Sequence, residues 1–107
     1  MRRPNVRRRR MARRHIRPDA EDDLESIWSF IAADNRRAAD ATIDRLVGIF
    51  DMLLTMPQAG RTRREFGENV RGFAVDNFVV YYVKTAEGID ILRVIHGRRD
   101  FHPDDVE

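Results

Sequence analysis

The sequence of 107 residues contains no cysteine. Because a disulfide framework, a thiolate zinc site and a thiol nucleophile all need cysteine, these are excluded, and we expect the protein in the cytoplasm, where disulfides are rare. No apolar stretch approaches the ~20 residues of a membrane span, and no apolar segment of a secretory signal follows the basic N-terminus. The two serines and the glycines form neither a hydrolase motif nor a phosphate-binding loop.

The net charge of +2 conceals two unlike segments. Residues 1–17 contain nine arginines and no acidic residue, whereas residues 18–107 contain 11 of the 20 basic residues and all 18 acidic ones. We predict that residues 1–11 are a disordered basic arm and that residues 12–107 form one domain. The arm either binds phosphates non-specifically or is an upstream extension of the reading frame, with Met11 as the physiological start. The second interpretation is favoured because Met11 directly precedes the first plausible strand.

Residues 70–100 predict a three-stranded antiparallel meander. The strands are runs rich in β-branched and aromatic residues, namely Val70–Val75, Phe78–Val83 and Ile89–Ile95. Asp76 and Asn77 form a two-residue connection typical of a tight hairpin, and Gly88 can adopt the positive φ that closes the second turn.

The meander is unusually apolar on both of its faces. Every residue of Phe78–Val83 is apolar or aromatic, whereas an antiparallel sheet in a small domain usually alternates apolar and polar residues. In the last strand, Leu92 and Val94 have one parity, and Ile89, Ile91 and Ile95 have the other. Either the chain's own loops cover the second face, or another chain covers it.

Two amphipathic helices precede the meander. Asp19 is predicted to cap the first helix, whose apolar stripe begins at Leu24 and which ends near Ala33. Asn35 is predicted to cap the second helix, which runs to about Met56 and is stopped by Pro57. Residues 12–17 form a weak strand candidate beside the meander. The predicted fold is therefore α+β, with the order β-α-α-β-β-β and an antiparallel sheet covered on one face by a helical hairpin.

Catalytic and metal-binding interpretations depend on residues at the end of the sheet. His96, Asp100 and His102 lack the fixed spacing of a metal site, so we predict neither a metal nor a cofactor. Metal-free RNA cleavage would use His96 for proton transfer, with Arg71, Arg93 and Arg98 stabilising the phosphorane. The structural alternative is a histidine bonded to backbone and arginines paired with carboxylates.

The chain resembles the RelE/ParE family of toxins from type II toxin–antitoxin modules, and the ParE branch in particular. The matching segments, in order, are Asp19-Ala20 with Asp23-Leu24 and Ile27, Met56-Pro57 with Gly60-Arg61, Val70-Arg71 with Phe73, Phe78–Tyr82, and Ile91–Asp100. They cover residues 12–101. The resemblance implies the fold given above, with the first strand at the sheet edge beside the last.

The resemblance also implies a function. ParE-like members act in plasmid stabilisation and growth inhibition by binding DNA gyrase, whereas RelE-like members are ribosome-dependent mRNA endoribonucleases. The nuclease sites use lysines and arginines on the sheet and a tyrosine near the C-terminus. This sequence has a single lysine, Lys84, and no tyrosine after Tyr82. The ParE-like function, a binding activity rather than an enzymatic one, is therefore favoured.

A cognate antitoxin is the partner that the resemblance implies. Its C-terminal segment is disordered alone and folds over the toxin, so we predict a hetero-oligomer. The apolar second face would seat this segment, and arginines, including Arg63 and Arg64, would meet its acidic residues. The predicted antitoxin-binding residues are Arg61, Arg71, Phe78, Val80, Tyr82, Ile91, Arg93 and Ile95.

Overall fold

The computed structural model describes residues 12–97. In chain order its elements are β1 (Arg13–Ile16), α1 (Pro18–Ala32), α2 (Arg36–Thr55), β2 (Arg61–Thr62), a short 3-10 helix (Arg64–Phe66), β3 (Val70–Val75), β4 (Phe78–Thr85) and β5 (Gly88–His96). The basic arm, together with Arg98, Arg99, Asp100 and His102, lies outside the described residues.

The five strands form one sheet in the order β1-β5-β4-β3-β2, with both helices packed on one face. The α+β prediction is confirmed, and β1 lies at the edge beside β5, as the resemblance implied. The sheet is mixed rather than wholly antiparallel, since β1 runs parallel to β5. A four-residue strand carries no sequence signal of its direction, and the two-residue β2 was too short to predict.

Helix α1 begins two residues earlier than predicted. Pro18 occupies the first turn and Arg17 is the cap residue, without a side-chain hydrogen bond, so the predicted capping role of Asp19 is wrong. Proline suits this position because its fixed φ is helical and its missing N–H has no intrahelical partner there. Asp19 and Glu21 instead lie in the first turn, where the helix dipole favours acidic side chains.

Helix α2 is capped as predicted, because Asn35 Oδ1 accepts a hydrogen bond from Ala38 N–H at 3.0 Å. It ends at Thr55 with Met56 as the cap, directly before Pro57. The core between helices and sheet comprises Ala20, Leu46, Phe50, Leu53, Val75, Val80, Tyr82, Ile89, Ile91 and Val94. Within residues 12–97 no helix has the length and apolar character needed to cross a membrane.

A β-bulge in β5 decides which side chains face the helices. Tyr82 pairs with Ile91 and Tyr81 with Arg93, so Leu92 is an extra residue. The bulge reverses the parity of the strand. Consequently Ile89 and Ile91 share the helix-covered face with Val94, and the grouping of Ile89, Ile91 and Ile95 predicted from strict alternation is wrong.

Candidate partner-binding surface

The sheet face opposite the helices, here called the open face, carries an apolar row. Ala74 on β3 pairs with Val79 on β4, and Val79 pairs with Ile95 on β5. Directly paired side chains point to the same face of a sheet, so these three residues lie side by side across three strands. Ala74 is exposed, and Val79 and Ile95 are half-buried. This row offers a partner a small apolar seat.

Arg61 lies beside the apolar row on the same face. It pairs with Gly72, which in turn pairs with Tyr81, so the side chain of Arg61 projects from the open face one row from Ala74. Arg61 is exposed and forms no ion pair within the described part of the chain. Its guanidinium is therefore available to a carboxylate of a partner.

Another part of the open face, around Tyr81, is covered by the chain's own loop between β2 and β3. The ring of Phe66 meets the ring of Tyr81 edge-on at 5.2 Å, and the guanidinium carbon of Arg63 lies 4.8 Å from the Phe66 ring centre. Tyr81 and Val70 are consequently buried, each 4% exposed. Coverage by the chain's own loops, one of the two explanations for the apolar second face, thus applies to the part around Tyr81. The loop leaves the apolar row at the surface.

A buried hydrogen-bond network anchors the segment that leads into β2. The Tyr82 hydroxyl donates to the Pro57 carbonyl at 2.8 Å and accepts from Gly60 N–H at 2.8 Å. Arg71 Nη1 donates to the Gly60 carbonyl at 2.8 Å. Burial raises the pKa of Tyr82, opposed by its bond from Gly60 N–H and by the charge of Arg71. The phenol therefore remains a neutral donor at physiological pH.

Asp23 of α1 anchors strand β5, toward the edge of the sheet opposite β2. Its carboxylate accepts hydrogen bonds from Arg93 Nε at 2.8 Å and Arg93 Nη2 at 2.9 Å, and one from Val94 N–H at 2.8 Å. The ion pair joins α1 to β5 beyond the end of β1. Arg93 therefore contributes to the structure of the domain through this contact, as the structural alternative for the arginines anticipated.

Five of the eight predicted antitoxin-binding residues face the helices instead of the open face. Val80, Tyr82 and Ile91 are 0% exposed, and Phe78 packs against the same core. Arg71 pairs with Tyr82 and therefore points to the same face. The assignment of these five side chains to the second face was wrong. Arg61 and Ile95 lie on the open face. Val79 was missed because its strand is apolar throughout, and Ala74 was missed because small and apolar residues occur on both faces of β3.

Of the proposed RNA-cleaving groups, the three within residues 12–97 do not converge. His96 pairs with Phe78 and Arg71 pairs with Tyr82, and these two partners lie four residues, or ~13 Å, apart along β4. His96 contacts the Phe78 ring edge-on at 5.5 Å, and Arg93 is engaged with Asp23. Among residues 12–97, no group of three or more histidine and acidic side chains is arranged to hold a metal ion.

Comparisons with known proteins agree with the fold and the motifs. Residues 15–101 match the family model described as the ParE toxin of type II toxin–antitoxin system, parDE. Toxin ParE3 of Caulobacter vibrioides is 30% identical over 77 residues, which are 71% of this chain and 77% of that protein. Among solved structures, the chromosomal ParDE TA system from P. aeruginosa matches with a TM-score of 0.67 over 82% of this chain and 97% of that chain. At 19% identity this last likeness shows the shared fold.

Proposed function

This chain belongs to the ParE toxin family of type II toxin–antitoxin systems, and from that premise we propose that it inhibits growth by binding DNA gyrase. We further propose that an antitoxin neutralises it by covering the open face of its sheet. The observation that supports the antitoxin site is the apolar row of Ala74, Val79 and Ile95 with the exposed Arg61 beside it.

The chemistry of the open face fits an acidic segment with aliphatic side chains. Such a segment would remove Val79 and Ile95 from water and place a carboxylate opposite Arg61. Arg64, also exposed, extends the positive charge toward the 3-10 helix. A segment that is disordered alone loses conformational entropy when it binds, and this loss lowers the affinity per unit of buried area. Its disorder in turn allows it to wrap around a large surface. The assembly is then a hetero-oligomer.

A binding activity fits the described residues better than RNA cleavage does. Arg71 is held by the Gly60 carbonyl and Arg93 by Asp23, so neither guanidinium is arranged around a common scissile phosphate. Beyond residue 17 the acidic residues outnumber the basic ones, 18 to 11. This excess of negative charge is unfavourable for holding ribosomal RNA.

A supercoiling assay with purified, folded protein tests the gyrase target. We expect the protein to inhibit supercoiling of relaxed plasmid by gyrase, and we expect the antitoxin that restores growth on co-expression to reverse the inhibition. Normal supercoiling at excess folded protein would refute the proposal. Cleavage of mRNA by the wild type in a translation extract would instead establish the ribosome-dependent endoribonuclease alternative.

The substitution Ala74→Asp is expected to weaken antitoxin binding about 30-fold, because it places a charge in the centre of an apolar contact and next to Arg61. Ala74 is exposed, so the free protein should fold normally and still inhibit gyrase. Isothermal titration with the purified antitoxin measures the affinity. Ala41→Asp, the same change at an exposed position of α2, is the matched control and should bind like the wild type. Equal affinities for the two variants would exclude the apolar row from the interface.

A further inference from the structure

The segment from Pro57 to Thr62 has little backbone pairing of its own. Strand β2 contains only Arg61 and Thr62, which pair with Gly72 and Arg71, and both strand residues are exposed. Two paired residues supply too few ladder hydrogen bonds to hold a strand in register without other contacts. The position of Arg61 on the open face therefore depends on what anchors the residues immediately before it.

The anchor is Gly60, which lies directly before Arg61 and is buried. Both of its backbone polar groups are bound by side chains, the N–H by the Tyr82 hydroxyl and the carbonyl by Arg71 Nη1, each at 2.8 Å. The Tyr82 hydroxyl also binds the Pro57 carbonyl at 2.8 Å. A Cβ atom at residue 60 would lie 2.7 Å from that hydroxyl, so any larger residue would push the hydroxyl away from the Gly60 backbone.

We propose that Tyr82 and Arg71 are positioning residues for antitoxin binding. They fix Gly60 and thereby hold Arg61 in place on the open face. Tyr82 is fully buried on the helix-covered face, so it does not contact a partner on the open face directly. The inference rests on the proposed function, because it says how Tyr82 and Arg71 organise one part of the surface that binds the antitoxin. Pre-organisation of Arg61 increases affinity because the segment does not have to be ordered at the moment of binding.

A double-mutant cycle separates positioning from a general effect on stability. The antitoxin is first identified by its ability to restore growth on co-expression and is then purified. Its dissociation constant is measured for the wild type, Tyr82→Phe, Arg61→Ala and the double variant. We expect Arg61→Ala to weaken binding about 10-fold in the wild type and less than about twofold in the Tyr82→Phe background. A role confined to folding would leave the effect of Arg61→Ala unchanged among folded molecules.

Ile95→Ala is the matched control for this cycle. It lies on the same surface, but it belongs to β5, which pairs with β4 and does not contact Gly60 or Arg61. The effects of Tyr82→Phe and Ile95→Ala on the dissociation constant should therefore be independent of each other. Arg71→Gln, which removes the other bond to Gly60, should reproduce the coupling to Arg61 and serves as the second variant if Tyr82→Phe folds poorly.

Amide hydrogen exchange provides a readout without the partner. The Arg63 N–H, which bonds to the Val70 carbonyl at 2.8 Å at the end of β2, should exchange at least about 10-fold faster in Tyr82→Phe. The Val94 N–H, which is bound by Asp23, should exchange at the same rate in the wild type and in Tyr82→Phe, once any change in the rate of global unfolding is subtracted. Independent effects of Tyr82 and Arg61 on binding, or unchanged exchange at Arg63, would overturn the inference while leaving the proposed function intact. Failure of the wild type to bind the antitoxin would overturn both.

Discussion

Replacing Asp23 by alanine is expected to lower the free energy of unfolding by about 3 kcal/mol, at the lower end of the cost of breaking a buried ion pair. One carboxylate binds two nitrogens of Arg93 and the backbone N–H of Val94. The side chains of Asp23 and Arg93 are 14% and 21% exposed, so water replaces these bonds poorly. The Val94 amide lies at the edge of β5 beyond Ile91, where the pairing with β1 has ended. The Asp23 carboxylate therefore substitutes for the neighbouring strand.

Chemical denaturation, followed by the fluorescence of Trp28, the single tryptophan, measures this loss. The neighbouring Asp22 is exposed on the same helix, so Asp22→Ala controls for the helix dipole and should cost only a few tenths of a kcal/mol. Asp23→Asn retains an acceptor for Val94 and should fall between the two. A difference below about 0.5 kcal/mol between Asp23→Ala and Asp22→Ala would contradict the anchoring role.

Replacing Gly88 by alanine is expected to cost about 3 kcal/mol and to lower the melting temperature by roughly 15 °C. Gly88 has a φ of +153°, a conformation that L side chains rarely adopt. A Cβ atom there would lie 1.8 Å from the carbonyl oxygen of Arg13, its partner in β1. Because the clashing atom belongs to backbone, relief requires β1 to move away from β5.

Gly48→Ala is the matched control for this substitution. Gly48 lies in the exposed part of α2, and a Cβ atom there would have no neighbour within 4 Å. Alanine in a helix interior is more favourable than glycine by about 1 kcal/mol, so the same change should raise stability at this position. Thermal unfolding followed by circular dichroism compares the two variants. Shifts of the same sign in both would refute the argument from the β1–β5 contact.

Local chemistry made much of the fold predictable. Asn35 caps α2 through its own side chain, and the Asp76-Asn77 connection joins β3 to β4 with Asp76 at a φ of +54°. Each of these features depends on residues within a few positions in the sequence, so the pattern contains the information. The meander and the helical hairpin follow from such signals together with the apolar stripes.

The assignment of faces was not predictable, because it depends on contacts between distant residues. Alternation cannot distinguish the two faces of β4, whose residues Phe78–Val83 are all apolar. The bulge at Leu92 then reverses the parity of β5, and no local residue type announces it. The loop that carries Arg63 and Phe66 covers Tyr81 through aromatic contacts that become visible only in three dimensions.

The candidate site was partly predictable for the same reason. Arg61 and Ile95 were selected for charge and apolar character, and both lie on the open face. Tyr82 and Arg71 were selected as contacts, yet their hydrogen bonds hold Gly60 from the helix-covered side. A signal was present in Met56-Pro57 followed by Gly60, since a glycine soon after a helix stop indicates a close backbone approach. The sequence does not show which side chain makes that approach.

The pairing of β1 with β5 has a consequence for synthesis on the ribosome. The first strand to emerge has no neighbour until the last strand has been translated, because Arg13 pairs with Gly88 and Ile16 with Ile91. A nascent chain that stops before β5 would leave the apolar stripes of both helices exposed and Asp23 without its ligands on that strand. Such fragments expose the apolar surface that proteases and chaperones recognise. Toxicity should thus be confined to chains whose translation has passed β5, so incomplete products pose little danger to the cell that makes them.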